Sequence, residues 1–106
     1  MIPLADLLIF SGLLFSVGIF GVLTRRNFIM LLISIEIIMN SAILNFIAFA
    51  AYSPAGRPLQ EVSGQGIAVV LIGLAATEVA LGLAIVLALN RIIGSVDVAD
   101  AMQLKL

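Results

Sequence analysis

The sequence predicts an all-α membrane protein with three transmembrane helices, its N-terminus outside and its C-terminus cytoplasmic. Three observations carry that prediction. The 106 residues are 63% hydrophobic and 10% charged, against roughly 45–50% apolar and about a quarter charged in a soluble domain. The mean hydropathy is +1.31. The charges are spaced so that three apolar stretches lie between them: Pro3–Leu23, Phe28–Tyr52 and Gly66–Leu89. Each holds about 20–25 residues, enough at about 1.5 Å per residue to cross a hydrocarbon core of about 30 Å with some tilt. A disordered segment, a coiled coil and an ordinary soluble enzyme domain are excluded by the same figures.

The first stretch, Pro3–Leu23, is expected to remain as a helix. Its flank carries Asp6 where a secretory signal has Lys or Arg. Its apolar run, Leu7–Leu23, exceeds the roughly 7–15 residues of a signal's hydrophobic region. A Gly12–Ser16 pair on it suggests a place where another helix comes close. The connection Thr24-Arg25-Arg26-Asn27 is short and basic. The second stretch ends at Ser53-Pro54-Ala55-Gly56-Arg57-Pro58, a Pro/Gly-rich segment read as a loop that runs to about Gln65. An excess of Lys and Arg marks cytoplasmic loops, which puts Arg25, Arg26 and Arg91 inside. The tail after Arg91 spaces Ile92, Val96, Ala99, Met102 and Leu106 as a weak amphipathic helix would, and reads equally well as a ragged terminus. The whole, 1–106, is taken as a single membrane domain. Asp97 and Asp100 are expected in solvent.

Composition also limits the chemistry. The chain has no Cys and no His. Disulfides, thiolate nucleophiles, Cys/His zinc or iron–sulfur sites, His-ligated haem and a Ser–His–Asp triad are therefore excluded. A net charge of −1 provides no basic field for nucleic acid. The four methionines read as packing residues or the start residue.

Two residues do not belong in lipid. Glu36 lies about nine residues into the second stretch, or roughly 13 Å deep. Glu78 lies about twelve residues into the third, entered from the other side. Both should fall near the membrane centre. An ionised carboxylate there costs on the order of 3 kcal/mol. Low dielectric favours the protonated carboxyl, and a second carboxyl within reach couples the two titrations. The pair therefore reads as a proton site, and the competing reading is a protonated or paired Glu that holds helices together. On a helical wheel Asn40 shares the face of Glu36, whereas Ser34, Ser41 and Asn45 fall on the opposite face. On the third helix Glu78 and Gly82 share a face, while Ala76, Ala80, Ala84 and Ala88 line another that permits close approach. Two helices that each avoid lipid on two sides imply a small subunit inside a larger membrane assembly.

The motif Ser34-Ile35-Glu36-Ile37-Ile38-Met39-Asn40-Ser41-Ala42, followed by Leu44-Asn45-Phe46, resembles the second helix of a known family. Gly64-Gln65 and the run Ala75-Ala76-Thr77-Glu78-Val79-Ala80-Leu81-Gly82-Leu83-Ala84-Ile85 resemble its third. The family is subunit K of proton-pumping NADH:quinone oxidoreductase, respiratory complex I, and the likeness covers about residues 5–90. It implies three helices with the N-terminus outside, and a chain of buried ionisable groups that includes Glu36 and Glu78. It implies a basic cytoplasmic loop matched by Arg25, Arg26 and Asn27, with Asn40 and Asn45 in supporting places. It further implies neighbours in the membrane arm, among them antiporter-like subunits and subunit J, in a bacterial plasma (inner) membrane. This chain would bind no cofactor; NADH, FMN, iron–sulfur clusters and quinone would belong to other subunits. Thr77 departs from the small Ala usual at that place. The alternatives are a homologous subunit of a cation/proton antiporter, a membrane-bound hydrogenase or another quinone-linked dehydrogenase. Outside the family lie a small multidrug exporter, which has four helices and an aromatic-rich pocket, and a purely structural assembly factor.

Overall fold

The computed structural model describes residues 2–52 and 58–102, and side chains within the third helix from Ser63 onward. Four helices follow in order: α1 Leu4–Thr24, α2 Phe28–Ala51, α3 Pro58–Ile93 and the single turn α4 Val98–Ala101. The first three are long and apolar enough to cross a membrane. α2 is the middle helix: α1 and α3 both pack on it, on different faces.

The third helix departs most from the sequence reading. A loop was expected to run to about Gln65, yet α3 begins at Pro58 and spans 36 residues. Proline is well suited to a helix's first position, because its fixed φ matches the helix and its missing N–H would be unpaired there anyway. Leu, Gln and Glu, which follow, are good helix formers. At about 1.5 Å per residue α3 is about 54 Å long, so its ends extend beyond the hydrocarbon. The rest of the expected loop, 53–57, lies outside the described residues.

The contacts between helices are made by small residues. Ser11, Gly18 and Gly21 are the buried residues of α1. The Ser11 hydroxyl donates to the Ser41 carbonyl at 2.9 Å, a buried bond between α1 and α2. Gly21 and Gly18 lie against Ser34 and Ile38. No helix of this chain makes the expected Gly12–Ser16 approach: no atom of the described residues stands within 4 Å of a side chain built at Gly12, and Ser16 is exposed. Its hydroxyl donates back to the Gly12 carbonyl at 2.8 Å. The contact line runs through Ser11, Gly18 and Gly21, and Gly12 is turned roughly 100° from Ser11. On α3 the residues facing α2 are Ala68, Ala75, Gly82 and Val86, with Ala68, Ala75 and Val86 buried. Ala76, Ala80, Ala84 and Ala88 are all exposed, on the side away from α2. Within hydrocarbon such close approaches replace the hydrophobic effect as the source of packing energy.

The tail is ordered rather than ragged up to Met102. α3 ends at Ile93, and the next residue, Gly94, takes a φ of 72° that suits glycine. The chain then turns back and pairs with the α1–α2 connection. Phe28 N–H donates to the Val96 carbonyl at 2.9 Å, and Val98 N–H donates to the Arg26 carbonyl at 2.7 Å. Asp97 is not simply solvated. It is half-buried, and its carboxylate caps α4 by accepting from Ala99 N–H at 2.7 Å. At the other end, the Tyr52 hydroxyl donates to the Ile2 carbonyl, which ties α2 to the start of α1.

Candidate functional site

The register between α2 and α3 follows from two close contacts. A Cβ on Gly82 would lie 2.6 Å from Leu32 Cδ2, and Gly64 lies against the side chain of Ala50. The helices are antiparallel, so each step along α2 is one step back along α3. Glu36, four residues after Leu32, therefore stands level with Glu78, four residues before Gly82. The Ala50–Gly64 contact gives the same register. Two carboxylates far apart in sequence thus share one depth in the membrane.

They do not share one face. Glu36 is half-buried and lines a groove of about 220 Å³ with Ile29, Leu32, Ile33 and Ile37 of α2 and Val79 and Leu83 of α3. Every other lining residue is apolar. Taking the line Ala68–Ala75–Gly82–Val86 as the side of α3 that meets α2, Val79 and Leu83 turn roughly 35° and 75° toward this groove. Glu78 turns roughly 65° the other way and is exposed. The α2–α3 seam, closed by Leu32 over Gly82, separates them.

The remaining site residues divide. Asn40 is exposed, one turn from Glu36 on the same face of α2. Asn45 is on the opposite face, as the wheel predicts. It lines a cavity of about 380 Å³ between α1 and α2 with Leu8, Ser11, Gly12, Phe15, Ile38, Ser41 and Ala42. Its Oδ1 is buried and has no donor within the described residues, a state that costs about 1–3 kcal/mol when left unmet. Arg25 and Arg26 are exposed. Asn27 is the N-cap of α2: its Oδ1 accepts from Ile29 N–H at 2.8 Å and Met30 N–H at 3.4 Å. Its place in the basic loop thus has a local cause, since a cap side chain satisfies amides the helix cannot. Thr77, the departure from the family pattern, donates its hydroxyl to the Gly73 and Leu74 carbonyls at 2.9 and 2.8 Å, so its polarity is met within α3. Among the described residues no group of three or more His, Cys, Asp or Glu is placed to hold a metal ion.

The sequence reading missed Ser11, the Gly18–Gly21 contact with Ser34, and the clip between the tail and the first loop. The first two carried a signal: Ser11, Gly18 and Gly21 repeat at seven and three residues, a helix-contact spacing that competed with Gly12–Ser16. The clip carried none, because backbone pairing between distant extended segments leaves little trace in side-chain pattern.

What the arrangement provides chemically is a pair of carboxyls at one depth, each opening on its own flank of a dry helix seam. Among the described side chains α1 buries Ser11, Gly18 and Gly21, α2 buries Ser34, Ser41, Ile43, Ala48 and Ala50, and α3 buries Ala68, Ala75 and Val86, so most of each span's surface is left open by this chain. An ionised Glu78 exposed to lipid at that depth would cost on the order of 3 kcal/mol.

Comparison with known proteins agrees with the resemblance. Residues 6–105 match the family described as NADH-ubiquinone/plastoquinone oxidoreductase chain 4L. The chain is 45% identical over 106 residues to NADH-quinone oxidoreductase subunit K of Alkalilimnicola ehrlichii, covering 99% of each. It is 40% identical over 105 residues to NADH-quinone oxidoreductase subunit K 1 of Syntrophobacter fumaroxidans, again covering 99% of each. It is 38% identical over 105 residues to NADH-quinone oxidoreductase subunit K of Rickettsia felis, covering 98% of this chain and 90% of that one. With both glutamate-bearing motifs inside the matched region, the chain belongs to the NADH-ubiquinone/plastoquinone oxidoreductase chain 4L family.

Proposed function

We propose that this chain is the K subunit in the membrane arm of a NADH–quinone oxidoreductase of a bacterial inner membrane, and that Glu36 and Glu78 carry protons there. The observation behind the proton role is their common depth in two apolar spans, each on a surface this chain leaves open. Electron transfer from NADH to quinone takes place in other subunits. Conformational and electrostatic changes in those subunits alter the surroundings of the two carboxyls, so that each takes up a proton in one state and releases it in another. Neighbouring membrane subunits cover the Glu36 groove and the Glu78 flank and complete the path. The basic connection Arg25–Arg26 faces the cytoplasm, as the positive-inside rule requires, and the tail lies on that same side because it pairs with this connection.

The test has two parts. A tagged copy should migrate in native gels with a large band that oxidises NADH; migration as a small homo-oligomer would refute the subunit assignment. In vesicles of the same strain, Glu36→Gln should leave that band intact and reduce quinone-coupled proton pumping. Full pumping would remove Glu36 from the path.

A further inference from the structure

The polar residues of the α1–α2 face are not used by the carboxylate site. Asn45 lies on the side of α2 opposite Glu36, five to nine residues further along with Ser41, or about 8–13 Å. There a hollow of about 380 Å³, open on one side at the exposed Gly12, Phe15 and Ala42, lies beside the α1–α2 contact. Three of its lining residues carry polar side chains: Ser11, Ser41 and Asn45. Both serine hydroxyl protons are committed, Ser11 to the Ser41 carbonyl at 2.9 Å and Ser41 to the Ile38 carbonyl at 2.7 Å. Their oxygens therefore remain as acceptors only. Asn45 adds a second kind of acceptor, a buried Oδ1 that receives no donor from the described residues. Gly12 borders this space at its open side, since a side chain built there would meet nothing within 4 Å.

We propose that this cavity is a binding site for ordered water, anchored on the Asn45 carbonyl oxygen. The chemistry of the lining selects the ligand. The two serine oxygens and Asn45 Oδ1 call for donors, while the Asn45 amide N–H2 can itself donate, so the lining suits a small molecule that both donates and accepts, as water does. The space greatly exceeds the roughly 30 Å³ share of one water, and a buried water needs two to four polar partners, which Ser11, Ser41 and Asn45 supply. The site is independent of the carboxylates, because it occupies the other face of α2.

The test uses the assembled complex in native membrane vesicles. This chain has no cysteine of its own, so a single Gly12→Cys places one thiol against the cavity. A control, Ala75→Cys, places one in the dry α2–α3 seam. The probe is 2-aminoethyl methanethiosulfonate, which reacts with the thiolate, and the readout is the mass of this chain over time. Thiolate forms readily only where water solvates it, so Gly12→Cys should react at least about tenfold faster than Ala75→Cys. Adding Asn45→Leu, which keeps the branched shape without the polar atoms, should lower the Gly12→Cys rate to that of the control. Ala42→Cys, also on the cavity wall, is measured in parallel and decides the matter should Gly12→Cys fail to assemble. Equal rates at cavity and seam would overturn the proposal, as would a fast cavity rate indifferent to Asn45→Leu, which would mean access to bulk solvent. A failure of either kind leaves the reading of Glu36 and Glu78 unchanged, since their test is proton pumping.

Discussion

Glu36 and Glu78 stand level with each other across the α2–α3 seam, on opposite flanks of it. The Leu32–Gly82 and Ala50–Gly64 contacts set that level, and the apolar groove that contains Glu36 together with Val79 and Leu83 sets the flank. A proton moving between them cannot cross the seam directly, because the residues that close it, Leu32, Gly82 and Ala75, have no exchangeable side-chain proton. It must pass around the seam, through groups supplied by other chains or through water.

The two carboxylates should therefore behave as members of one route. Glu36→Gln and Glu78→Gln are each expected to lower coupled proton pumping, on the order of 10²-fold for loss of a proton-transferring group. The double variant should be little worse than the more damaging single one. The check is pumping rate in vesicles normalised to assembled complex; fully multiplicative losses would indicate two separate routes.

Packing between α1 and α2 depends on the absence of a side chain at Gly21. An added methyl would collide with the Ser34 side chain, so Gly21→Ala should destabilise the helix pair by about 1–3 kcal/mol. Gly12→Ala, with open space before it, should be tolerated. Thermal unfolding in detergent, or the steady-state amount of chain in membranes, distinguishes the two.

Asn27 can be tested as a cap apart from its charged neighbours. Asn27→Ala removes the acceptor for the Ile29 and Met30 amides and should cost about 1 kcal/mol, whereas Asn27→Asp or Asn27→Ser keeps it. Hydrogen exchange at those two amides should accelerate in the Ala variant only. If all three variants exchange alike, the side chain is not what protects them.

At the tail, Gly94→Val forces a branched residue to a φ of 72°, at a cost of about 1–2 kcal/mol. The pairing of Val96 and Val98 with the first loop should then open. Faster exchange of the Phe28 and Val98 amides, with α3 itself unchanged, is the expected result; unaltered exchange would show that the clip does not depend on the turn.

The outward alanines offer a test of assembly. Ala80 and Ala84 are exposed on the side of α3 away from α2, so Ala84→Leu should leave the α1–α2–α3 packing intact. If a neighbouring subunit lies against that face, the same substitution should lower incorporation into the large complex. Normal incorporation would assign the face to lipid.

The number of membrane-spanning helices, the two carboxyls within them and the chain's family were all legible in the sequence alone. Those features rest on transfer energy and local pattern: roughly twenty apolar residues insert as a helix wherever they occur, and a Glu among them stands out regardless of its neighbours. The opposition of Ser34, Ser41 and Asn45 to Glu36 was legible for the same reason, since helical periodicity fixes angle. Which face meets which neighbour was not. Gly12–Ser16 and the Ala76–Ala88 series had the composition of contact surfaces, yet the contacts fell to Ser11, Gly18 and Gly21 and to Ala68, Ala75, Gly82 and Val86. In lipid every helix face is apolar, so hydrophobicity cannot select one, and the choice goes to the closest steric fit. The start of α3 at Pro58, the tail's return to the first loop and the level placement of Glu36 beside Glu78 depend on that fit. Only the tertiary structure decided them, because each is a relation between segments that the chain's local preferences leave free.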